Sequence, residues 1–130
     1  MPDTSSDCKV ISGVLSSVGD KWTILIVMVL RERPRRFNDV KRAVGGISQQ
    51  MLARTLKSLE RDGIVRRTVH STVPPQVEYA LAPLGHSLAE PIELLGSWAE
   101  AHLAEILGNR RKYDGTKPSD DIETRVSVLA

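Results

Sequence analysis

Hydrophobic positions recur with the helical period from Val10 to Gly63, and short polar or glycine-rich stretches separate the runs. The most apolar run, WTILIVMVL, is hydrophobic nearly all round. Asp20 before it is a suitable N-cap and Pro34 lies beyond its end, so Lys21 to Arg31 reads as a buried central helix. Upstream, Ile11, Val14, Leu15 and Val18 share one side of a short helix over Val10 to Val18, and nothing in that segment buries the side. Phe37, Val40 and Val44 mark a third helix, stopped by Gly45 and Gly46, which tolerate positive φ.

The next run, ISQQMLARTLKSLERDG, begins at Ile47, offers Ser48 as N-cap and is closed by Gly63. At about 100° per residue, Leu56 and Leu59 fall within about 40° of Leu52, while Gln50, Arg54, Lys57 and Arg61 fall within about 40° of the opposite pole. The helix therefore has one face to bury and one basic, amide-bearing face. IVRRTVH and QVEYALA follow, rich in β-branched and aromatic residues, and the intervening STVPP excludes both helix and central strand. They predict a hairpin.

After Tyr79, Leu84, Leu88, Ile92, Leu95, Ala99, His102 or Leu103, and Ile106 form a stripe flanked by Glu90, Glu93, Glu100 and Glu105. The stripe fits one long amphipathic helix or two pieces broken at Pro91. It extends too far for a small domain to bury it, which predicts a partner helix. From Asn109 the run NRRKYDGTKPSDD is linker-like, and IETRVSVLA at the end is weakly helical in pattern. The fold expected is mainly α with a small β-hairpin, in the element order of a winged helix-turn-helix domain. It spans 8–107, with a recognition helix at 48–62, a wing at 64–81 and a dimerisation helix at 83–107. Residues 108–130 form a C-terminal extension.

Composition adds bounds. The chain has 130 residues, 41% hydrophobic and 26% charged, which suits one globular domain. No apolar run reaches the roughly 18 residues that span a bilayer. The N-terminus lacks a signal-peptide pattern and a single cysteine excludes an internal disulfide, so a cytoplasmic location is expected. Net charge is only +2, but it is unevenly placed. From Arg31 to His70 eleven lysines and arginines face four acids, whereas the rest of the chain holds seven bases and twelve acids. That polarity predicts an anionic partner for the middle of the chain, double-stranded DNA above all.

In a helix-turn-helix the second helix enters the major groove with its first turns nearest the base edges. Ser48, Gln49, Gln50 and Arg54 are thus placed to read bases and Lys57 to hold phosphate. Gln can bond bidentately to adenine and Arg to guanine. Arg61, about three turns in, should be leaving the groove. Arg35 and Arg36, with Arg66, Arg67, His70, Ser71 and Thr72 of the hairpin, are candidates for phosphate and minor-groove contacts. Arg67 has an alternative partner in Glu78 across the hairpin, and His70 could instead cap a strand. Three scattered histidines and one cysteine give no metal-ligand spacing, and there is no phosphate-binding glycine loop or nucleophile elbow. Neither enzyme, metal nor cofactor is expected.

Several strings together resemble the HxlR-type family of bacterial transcriptional regulators: Cys8, GDKWT (19–23), RRFNDV (35–40), GISQQML (46–52), LERDGIV (59–65), PPQVEYAL (74–81), LGHSL (84–88) and Trp98. The resemblance covers about residues 8 to 107. It implies a winged helix-turn-helix homodimer whose N- and C-terminal helices make the interface, acting on a pseudo-palindromic operator. Ala82 departs from the usual Thr before Pro-Leu-Gly, which removes a helix cap, and the tail beyond Asn109 exceeds the common pattern. Some family members sense quinones, oxidants or aldehydes through a cysteine placed like Cys8. Against this, lone cysteines are commonly small buried hydrophobes. Trp22 and Trp98 could line a ligand cavity between the domain and the dimer helices, but at helical positions they read first as core residues. The alternative function is a winged-helix protein-interaction module, for which the basic excess has no use.

Overall fold

Asp20 opens the central helix of the computed structural model, which describes residues 5–116. Its carboxylate accepts from the amides of Trp22 (3.0 Å) and Thr23 (3.4 Å), capping α2 (Lys21–Glu32) as the sequence predicts. Ile26, Val27 and Leu30 of α2 are buried and form the core with residues of the following elements. Before it, α1 (Ser5–Val18) starts earlier than the apolar pattern and ends where the Gly19 amide bonds to the Leu15 carbonyl at 2.8 Å.

β1 (Arg35–Arg36) leads into α3 (Phe37–Val44), and Gly45 and Gly46 turn the chain at φ of 72° and 74°. L side chains rarely adopt that conformation, which explains the glycine pair. Ser48 then caps α4 (Gln49–Arg61): its hydroxyl accepts from the Met51 amide at 3.1 Å. Leu52, Leu56 and Leu59 seal α4 to the core. Gly63, at φ 75°, ends the helix, with the Ile64 amide bonded back to the Leu59 carbonyl at 3.0 Å.

The predicted hairpin is present as β2 (Val65–His70) and β3 (Gln76–Leu81), paired antiparallel from Val65 opposite Leu81 to His70 opposite Gln76. The sheet has a third strand that the pattern did not predict. β1 pairs with the other edge of β3, Arg35 opposite Tyr79 and Arg36 opposite Glu78, giving the order β1-β3-β2. Two residues after a proline carry no alternation to detect; only pairing defines them as a strand.

α5 (Pro83–Gly115) is one helix. The break allowed for at Pro91 does not occur, and NRRKYDG, read as linker, is helical. It has no breaker before Gly115, and basic residues suit a helix C-terminus. Ala82 supplies no capping side chain; its carbonyl accepts from the His86 amide at 3.0 Å, and Pro83 removes one N–H that would need a partner. Up to Ile92 the helix belongs to the winged-helix body, where Gly85, Ala89 and Ile92 are buried. A Cβ on Gly85 would lie 2.3 Å from the Ile64 carbonyl oxygen, so only glycine fits this approach. Among the described residues, those from Glu93 on form a separate unit. Leu94, Leu95, Trp98 and Leu103 are exposed in it, so Trp98 is not a core residue of the single chain, while Trp22 is partly buried against the core. The His102 ring stacks on Trp98 with centroids 4.7 Å apart, and its Nδ1–H donates to the Trp98 carbonyl at 2.8 Å. IETRVSVLA lies outside the described residues. Among those described, no single helix is long and apolar enough to cross a membrane.

Candidate nucleic-acid interface

The turn-capped helix α4 presents its polar face outward. Gln49, Gln50, Arg54 and Lys57 are all exposed, while the leucines of the opposite face are buried. Ser48 is exposed too, but its oxygen holds the helix cap. It can still donate its hydroxyl proton. The candidate readers thus sit on a helix whose first turn is fixed by that cap.

The sheet sorts the remaining candidates by strand alternation, since successive side chains point to opposite faces and directly paired residues share one. Val65 is buried, so Arg67 lies on its face, beside Tyr79 of β3 and then Arg35 of β1. Arg66, Thr68 and His70 lie on the other face, with Glu78 and Arg36. Arg36, Arg66 and His70 are therefore brought to one exposed surface.

This sorting answers two of the sequence alternatives. Glu78 cannot meet Arg67, which is on the opposite face; it approaches His70 instead, Nε2 to Oε1 at 3.5 Å. Arg35 is the clearer departure from expectation. Its side chain is only 12% exposed, its Nε donates to the Val29 carbonyl at 3.0 Å, and Nη2 pairs with Glu32 at 2.5 Å. These bonds tie β1 to the end of α2 and take Arg35 out of the phosphate-contacting set. At the turn, the Thr72 hydroxyl donates to the Pro74 carbonyl (2.7 Å) and the Thr72 amide to the His70 carbonyl (2.8 Å), which fixes Thr72 at the tip beside Ser71 and His70.

Between the start of α3 and the tip-side end of β3 lies an open cleft of about 430 Å³, bordered by Arg36, Asn38, Arg42 and Gln76. Asn38 and Gln76 were not singled out from the sequence. Their amides are exposed or half-exposed beside Arg36 and suit a phosphate oxygen. Asn38 stands within RRFNDV, so the motif held the signal, but the nearness of Gln76 depends on β3 lying beside β1. Arg42 pairs with Asp39 along α3. Cys8 is exposed on α1. Among the described residues no group of three or more His, Cys, Asp or Glu could hold a metal ion.

Comparisons with known proteins agree with this architecture. Residues 17–106 match the family described as HxlR-like helix-turn-helix. The HTH-type transcriptional regulator YtfH of Escherichia coli is 44% identical over 97 residues, covering 75% of this chain and 77% of its own. A solved structure of the transcriptional regulator YtfH from Salmonella typhimurium superposes with a TM-score of 0.70 at 40% identity, over 77% of this chain and 89% of its own. The redox regulator HypR in its oxidized form superposes with a TM-score of 0.65 at 35% identity, over 70% of this chain and 94% of its own.

Proposed function

The chain belongs to the HxlR-like helix-turn-helix family of transcriptional regulators, which are not enzymes, and from that premise we propose that it acts in the cytoplasm as a homodimer on a pseudo-palindromic DNA operator. One observation carries the reading: a capped helix with a buried leucine face holds Gln49, Gln50, Arg54 and Lys57 exposed within the segment that concentrates the chain's positive charge. α4 lies in the major groove, Gln49, Gln50 and Arg54 meeting base edges, Ser48 donating its proton, and Lys57 holding phosphate. Arg36 and Arg66 grip the backbone from one face of the sheet, and His70, Ser71 and Thr72 form the wing tip beside the minor groove. Arg67, on the other face, is the weakest of the wing contacts.

Two copies set their recognition helices about 34 Å apart on successive grooves. The apolar faces of α1 and of the second part of α5, both exposed in one chain, support dimerisation through these helices. Arg54→Ala is expected to cost about 1–3 kcal/mol on the operator and to relax base preference. Fluorescence anisotropy with operator and unrelated duplexes reads both effects; unchanged binding to each would refute the assignment.

Sensing through Cys8 has one specific support, the likeness to the redox regulator HypR, together with the exposure of Cys8 on a helix proposed to make the interface. A quinone, an oxidant such as hypochlorite or an aldehyde such as formaldehyde modifies the thiol and changes the spacing of the two recognition helices. Release from the operator by such a reagent should then be lost in Cys8→Ser. Equal release from wild type and variant would eliminate the thiol switch.

A further inference from the structure

The recognition helix has a flank that faces neither the core nor the basic side. At about 100° per residue, Met51, Thr55 and Ser58 lie together between the leucines and the basic face, and Arg54 stands where this flank meets that face. Opposite them are Ser16 and Ser17 of α1 and Asp20 at the start of α2. The space between is an open cleft of about 480 Å³, within the roughly 300–1,000 Å³ typical of small-molecule sites.

Hydroxyls dominate its polar lining. Thr55 donates its proton to the Met51 carbonyl at 2.8 Å, keeping its lone pairs for another donor. Ser16 and Ser58 are exposed and Ser17 half-exposed, and each can both donate and accept. The Asp20 carboxylate is already engaged by two backbone amides at the α2 N-terminus, which offsets its charge. Arg54 is the cation that lines the cleft, and among the described residues it has no hydrogen bond or ion pair. An unpaired guanidinium fork beside several hydroxyls matches a carboxylate carried on a hydroxylated framework.

We propose that this cleft binds a small hydroxylated carboxylic acid, which pairs with Arg54, hydrogen-bonds to the serines of α1 and α4, and weakens operator binding by withdrawing Arg54 from the DNA. The regulatory half of the proposal rests on Arg54 being a base reader. Acid and operator then compete for one side chain, and each lowers the other's affinity by the same factor.

The test uses the full chain with quinate and 3-hydroxybenzoate as probes and their methyl esters as neutral controls. In nitrogen-15 NMR without DNA, at least one acid should give saturable shifts at Ser16, Ser17 and the Arg54 Nε, and its ester should not. The same acid should lower operator affinity about fivefold or more. Ser17→Leu and Ser58→Leu fill the cleft from opposite walls; with folding checked by circular dichroism, each should bind operator normally and ignore the acid. No shift with either acid, equal shifts with the ester, or undiminished acid response in both filled variants would overturn the proposal. Failure of the DNA reading shows separately, as an Arg54→Ala variant that binds operator like wild type; the shifts would then still establish the site while removing its link to DNA.

Discussion

α4 and α1 have similar amphipathic spacing and opposite fates. Leu52, Leu56 and Leu59 of α4 are at most 1% exposed, whereas Val10, Val14 and Leu15 of α1 are 56–67% exposed. One apolar stripe finds its partner inside the chain, whereas of the other only its end, Val18, packs against the core. Burying apolar surface is worth roughly 25 cal/mol per Å², so a stripe left in water is a standing driving force for association. Periodicity states that a face wants cover; it does not state which molecule supplies it.

The largest expected effect that separates the two stripes is on folding. Leu52→Ala removes a fully buried side chain and should destabilise the domain by about 2–5 kcal/mol in urea or thermal unfolding. Val14→Asp, on the uncovered stripe, should instead halve the mass seen by light scattering while circular dichroism stays helical. A Val14→Asp chain that remains dimeric would remove α1 from the interface. Ser48→Ala tests a local element of α4: losing the cap to the Met51 amide should cost about 1 kcal/mol of stability. The smallest change is electrostatic. Arg36→Ala should weaken all duplexes alike and reduce the salt dependence of binding by about one counterion, with sequence preference unchanged. Arg35→Ala, by contrast, should lower stability, because it removes the bonds to Val29 and Glu32.

Much of the fold was legible because its signals are local. Asp20 and Ser48 cap the helices they precede, Gly45, Gly46 and Gly63 occupy positive φ, and the hairpin strands lie within the two alternating runs. The division of α4 into a buried leucine face and an exposed basic face followed from the wheel alone. The errors fell where local signals are weak or absent. NRRKYDG is polar enough to pass for a linker, yet it contains good helix formers and no early breaker. Pro91 invited a break, but a proline inside a long helix need not end it when its neighbours keep the helical path.

Arg35 and Arg36 set the boundary between what the chain's sequence determined and what its tertiary structure decided. The sequence by itself determined the helices, their caps, the turn, the hairpin and the concentration of positive charge, all of which depend on residues a few positions apart. It could not distinguish two neighbouring arginines. Only the pairing of β1 with β3 turns Arg35 inward to Val29 and Glu32 and Arg36 outward beside Glu78, and only the approach of α1 and α2 to α4 places Arg54 at a cleft. Strand faces and clefts are created by partners distant in sequence, so their side-chain assignments exist only once the chain has folded.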